Sequence, residues 1–110
     1  MIFDTEGHTT VVFQEKVSLA VFLKNLEEAY PRFKHNNLIL NLFSFDALRP
    51  ADLLEFLDIS NRHRGAGKSL VLVYDGVSYE DVPDELCLVP TLQEARDVIE
   101  MEDIERDLDL

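Results

Sequence analysis

The chain has 110 residues, enough for one domain but too few for two cores, and 46% of them are hydrophobic. Its 22 acids against 10 bases give a net charge of −12, which argues against nucleic acid or an anionic membrane surface as a partner. With Cys87 as the single cysteine an internal disulfide is excluded, and no apolar run is long enough to span a bilayer.

Ile2 to Thr5 and Thr9 to Gln14 are rich in β-branched and aromatic residues and read as two strands, joined by a turn at Glu6-Gly7-His8. Ser18 is a candidate N-cap. After it Leu19, Phe22, Leu23, Leu26 and Tyr30 recur at three- and four-residue steps, one face of a helix that Pro31 is expected to stop near Tyr30. Asn36-Asn37 is a turn. Leu38 to Phe43 is nearly all apolar, as expected of a central strand covered on both faces. Pro50 suits the first turn of a helix, filled by Leu53, Leu54, Phe56, Leu57 and Ile59 and closed by Arg62-His63-Arg64-Gly65. Leu70 to Tyr74 is a second buried strand, Asp75-Gly76 a turn, and Tyr79 to Asp84 a short helical turn. Leu86 to Val89 is a short strand. Thr91 with Glu94 forms a capping box for a last helix, lined by Leu92, Ala95, Val98 and Ile99, with Met101 as a further candidate, and running toward Arg106. The order β-β-α-β-α-β-(α)-β-α predicts an α/β domain: a mixed, mostly parallel sheet of four to five strands, with helices and an antiparallel first edge.

Charge is unevenly spread. Through Tyr74 nine acids face eight bases, whereas from Asp75 onward 13 acids face only Arg96 and Arg106. Such a tail serves as a solvated face, or steers a basic partner. The start Met1-Ile2-Phe3-Asp4-Thr5-Glu6 has neither the basic residues nor the long apolar stretch of a secretory signal, so a cytoplasmic protein is expected.

Few motifs suggest chemistry. Gly67-Lys68-Ser69 looks like the end of a phosphate loop, but Arg62 stands where the first glycine belongs, and the segment leaves a helix instead of opening one. His8, His35 and His63 have no metal-pair spacing and are expected at the surface, with His63 favoured by a helix C-terminus. Cys87, between leucines in a strand, reads as an inert thiol. No nucleophile, base and anion hole can be assembled, so neither catalysis, a cofactor nor a metal is expected. The acidic stretch Glu100 to Asp107 reads as a wet helical face and lacks a calcium-loop pattern.

The strand Leu38-Ile39-Leu40-Asn41-Leu42, the loop Phe43 to Leu48 and the helix from Pro50 resemble the centre of the STAS domain. That family includes the anti-sigma factor antagonists and the tails of sulfate transporters. Asn41 stands where the family's strand carries an aspartate. The stretch from Arg64 to Val73 and the closing segment Val89 to Ala95 are similar too. The resemblance implies a single STAS-like domain over residues 1–110. In the antagonists a serine at the start of the central helix is phosphorylated by a partner kinase. Here Arg49-Pro50-Ala51-Asp52 fills those positions, and Pro50 and Ala51 have no hydroxyl. Ser44 and Ser78 are the other hydroxyls expected near that end of the sheet.

The resemblance implies a non-catalytic, bacterial regulatory module that binds a protein partner. The expected surface is Arg49, Pro50, Ala51 and Asp52, exposed parts of Leu53 and Phe56, and the loop Asp75-Gly76-Val77-Ser78. For Leu53 and Phe56 core packing is the favoured reading. An alternative is a sensor of a nucleotide or lipid, as in some domains of that family. Ribonuclease Z activity, a label that short bacterial chains of this kind can carry, is not expected. That zinc hydrolase uses a His-x-His-x-Asp-His signature, which three scattered histidines cannot supply, so such a label would reflect a copying error or an association with the enzyme.

Overall fold

Gly7 turns the chain at its start. Its φ of 59° lies in the left-handed region that glycine enters without strain, and it joins β1 (Ile2–Glu6) and β2 (Thr9–Phe13) as an antiparallel hairpin. The structure, a computed structural model, describes residues 1–108. After the hairpin come α1 (Leu19–Phe33), β3 (Asn37–Asn41), α2 (Pro50–Leu53), α3 (Leu57–Gly65), β4 (Leu70–Val73), β5 (Cys87–Val89) and α4 (Leu92–Asp107). A 3-10 turn at Leu54–Phe56 splices α2 to α3, and another spans Tyr79–Asp81. The N-caps act as expected: the Val21 N–H donates to Ser18 Oγ at 3.2 Å, and the Glu94 N–H to Thr91 Oγ1 at 3.1 Å.

The five strands lie in the order β1-β2-β3-β4-β5, and every pair after the first is parallel. This is the expected mixed, mostly parallel sheet in a single α/β domain. Because a strand's side chains alternate between faces, each row across the sheet serves one layer of helix. Val12, Leu40, Leu72 and Leu88 are in register and face α1 and α3, joining Phe22, Leu26, Leu53, Phe56 and Ile59 in the main core. Val11, Ile39, Val71 and Cys87 form the opposite row and meet Ala95 and Ile99 of α4. The central strands are therefore apolar on both faces. The β4–β5 connection packs Val82 and Leu86 into the main core, so all three crossovers share one face while α4 covers the other. Among the described residues, no helix is long and apolar enough to cross a membrane.

Two sequence expectations fail. Pro31 does not stop α1 near Tyr30, because the helix runs on to Phe33. Pro31 lies two residues before the helix end, so its missing N–H and its ring against the Glu27 carbonyl disturb the last turn alone. His63 is not a surface residue: it is completely buried, and its partners come from elements distant in sequence.

Candidate functional site

The strands β3 and β4 deliver two loops to one rim of the sheet, and Tyr74 fastens them together. The Leu48 N–H donates to the Tyr74 hydroxyl at 2.9 Å, which pins the end of the first loop. The second loop folds over the same ring. A Cβ at Gly76 would lie 2.7 Å from Tyr74 Cε2, so only a glycine lets the backbone pass so close. Tyr74 is itself buried and cannot give way freely. Asn41 starts the first loop with a side-chain turn, its Oδ1 accepting the Phe43 N–H at 3.0 Å.

Helix α2 then opens at the rim. Pro50 occupies its first turn, and Asp52 reaches back so that Oδ2 accepts the Arg49 N–H at 2.8 Å. This hydrogen bond, with the guanidinium of Arg49 nearby, holds the Asp52 carboxyl below the usual carboxylate range despite some desolvation. Arg49, Pro50, Ala51, Asp75, Gly76 and Ser78 are exposed, and Asp52 is partly so. Ser78 Oγ accepts the Glu80 N–H at 3.2 Å and caps the second 3-10 turn. Ser44 differs: its hydroxyl is buried with no partner, out of a modifying enzyme's reach.

Leu53 and Phe56 do not belong to this surface. Both are fully buried in the main core, Phe56 edge-on to Phe22 with ring centroids 6.0 Å apart. Three residues apart, they share the inner face of the helical segment, and Leu54, the next residue after Leu53, faces outward. Leu54 and Phe43, each 43% exposed, supply the apolar part of the rim. The sheet has no reversal of strand order, so it forms no crevice between diverging loops. The strands follow sequence order, so the loops stand side by side along one rim. Beside the second loop lies an open cleft of about 310 Å³, lined by residues 74–79 and 88–90.

At the opposite rim, residues first read as a wet acidic face form a polar clasp. Asn37, buried at the start of β3, accepts the Ser69 N–H at 2.9 Å and donates to Asp103 at 3.2 Å. Arg106 donates to Asp103 Oδ1 and to Ser69 Oγ, both at 2.8 Å, while Arg64 pairs with Glu102 at 3.1 Å. The clasp ties α4 to β3, β4 and α3. A repeating helical pattern of charge shows that acids face away from the core but not which of them reach around to a sheet edge, so the sequence offered no signal for it.

His63 is a further buried polar group. Its Nε2 lies 2.8 Å from the Asn36 carbonyl, which can only accept, so Nε2 carries the proton and Nδ1 accepts the Tyr30 hydroxyl at 2.7 Å. Burial pushes the His63 pKa down, and the charges of Lys68, Arg64 and Arg106 push the same way against the opposing Asn36 carbonyl bond. The imidazole is therefore neutral at pH 7, and its complete burial keeps it from any substrate. The Cys87 thiol is raised by burial, which keeps it protonated and a poor nucleophile. Among the described residues, no group of three or more His, Cys, Asp or Glu could hold a metal ion. No family model and no curated protein matches the chain.

Proposed function

We propose that the chain is a non-catalytic, STAS-like interaction module that works in the bacterial cytoplasm and docks a protein partner. The docking surface is the rim formed by Arg49, Ala51, Asp52 and Leu54 with Asp75, Gly76 and Ser78. The observation that carries this reading is the Tyr74 fastening, which presents two loops as one preformed surface. A surface ordered before contact costs less entropy on binding. The element order and the continuous spacing from Asn41 to Pro50 support the STAS-like assignment. With proline and alanine at the switch positions, docking here is constitutive and not gated by serine phosphorylation at that place. The surplus of acids makes a basic partner surface the complement.

Photo-crosslinking tests the reading. A photoreactive residue in place of Arg49 or Ser78 should capture one and the same protein in cells, and one in place of Lys34 should not. Capture that is independent of position, or none from the rim, rejects the assignment. A second reading, a small-ligand sensor, is favoured by the cleft beside residues 74–79. It predicts that a nucleotide or lipid raises the melting temperature, and that Ser78→Trp abolishes the rise.

A further inference from the structure

Helix α4 has two apolar faces, and the sheet uses only one. Ala95 and Ile99 are buried against the strands. Met101, Ile104 and Leu108 are 62%, 53% and 62% exposed. At 100° per residue these three fall within about 60° of one another, on the side of the helix roughly opposite Ala95 and Ile99. The Leu108 N–H bonds to the Ile104 carbonyl at 3.0 Å, so the stripe is continuous in a formed turn. An exposed Leu alone needs no account, but three apolar side chains at helical spacing, beyond what the core requires, form a patch.

The charges around the stripe are sorted by sign. Both bases of α4 are already paired: Arg96, on the wall of the cleft toward the first hairpin, with Glu6 of β1 at 3.5 Å, and Arg106 with Asp103 at 2.8 Å. Glu94, Asp97, Glu100, Glu105 and Asp107 remain around the stripe, and among the described residues none of the five forms an ion pair. Alongside Ile104 an open cleft of about 360 Å³ separates α4 from the first hairpin, and Glu100, Asp103 and Asp107 contribute to its lining.

We propose that this outer face of α4 is a second docking site, and that it takes a basic amphipathic helix of a partner protein. Leucine-like side chains of that helix lie along Met101, Ile104 and Leu108, and a lysine or arginine enters the cleft beside Glu100 and Asp107. Charge selects this occupant. A second copy of the chain would oppose acids to acids at a net charge of −12 each, and an anionic lipid surface would be repelled in the same way. Matched apolar stripes with opposite flanking charge are the usual terms of helix-on-helix recognition. The site is separate from the loop rim and does not rest on the STAS-like reading.

The probe is a fluorescein-labelled peptide of about four helical turns, made of lysine and leucine with the leucines at i, i+3, i+4 and i+7. Its reference is the same composition in scrambled order. Anisotropy titration should show the ordered peptide binding the full chain at least about tenfold more tightly than the scrambled one. Ile104→Asp should remove that preference, while Val21→Asp on α1 and Ser78→Arg at the rim should leave it intact. Amide shift changes should centre on residues 98–108. Equal binding of the two peptides, binding of neither, insensitivity to Ile104→Asp, or shifts centred on residues 49–54 and 75–78 would each overturn the proposal. So would a dimer in sedimentation that Ile104→Asp dissolves, because the face would then belong to a second copy.

Discussion

Replacing His63 by leucine removes the one buried imidazole and tests its protonation state and its two hydrogen bonds together. The volume is roughly kept, so the cavity contribution is small. Two hydrogen bonds are lost, at about 0.5–1.5 kcal/mol each. Tyr30 and Asn36 are only half-buried, so water recovers part of that loss. The expected cost near neutral pH is therefore about 2 kcal/mol. The effect of acid is more specific. In the unfolded chain the imidazole takes up a proton near pH 6.5, whereas in the fold its pKa is depressed. The unfolded state thus binds the proton first. The contribution of His63 is complete above pH 6.5 and is lost as pH falls toward the folded pKa, at no more than about 1.4 kcal/mol per pH unit. Lacking that titration, His63→Leu should follow a shallower curve, and the stability gap between the two proteins should narrow on acidification. Urea unfolding followed by circular dichroism at about pH 7.5 and about pH 5.5 measures this gap. If the gap stays constant or widens, the imidazole is not held neutral and the assigned hydrogen bonding is wrong.

Three other substitutions have defined outcomes. Tyr74→Phe removes the acceptor of the Leu48 N–H and should cost about 1 kcal/mol, with faster amide exchange at Leu48 as the direct readout. Phe56→Ala should cost about 3–5 kcal/mol in chemical denaturation, since the ring is fully buried, yet under folding conditions it should leave partner affinity nearly unchanged. Asn37→Leu leaves the Ser69 N–H unpaired and removes one of the two donors to the Asp103 carboxylate, which keeps Arg106, and thermal unfolding should show a loss of about 2–3 kcal/mol.

The fold was legible because its signals are local and agree with one another. The apolar runs at Leu38 to Leu42 and Leu70 to Val73 could be satisfied only by strands covered on both faces, and the caps Ser18 and Thr91 lie one residue before their helices. What stayed hidden depends on distance in space. His63 reads from sequence as one more base at a helix C-terminus, and only the approach of Tyr30 and Asn36, 33 and 27 residues away, makes it a core residue. Pro31 misleads because the disturbance it brings falls in the last turn, and the helix still runs two residues past it. Leu53 and Phe56 are three residues apart in the helix that begins at the rim, so they share its inner face, and core packing is the favoured reading for both. The limit set by distance applies to Glu102, Asp103 and Arg106, whose partners are Asn37 on β3, Arg64 on α3 and Ser69 just before β4.

The central claim is that the rim fastened by Tyr74 is where a protein partner docks. Amide exchange of the chain, alone and saturated with the protein that Ser78-positioned crosslinking captures, tests it most directly. Protection concentrated at residues 48–54 and 74–79, weakening as salt is raised, is the expected result. Protection that avoids both loops would contradict it.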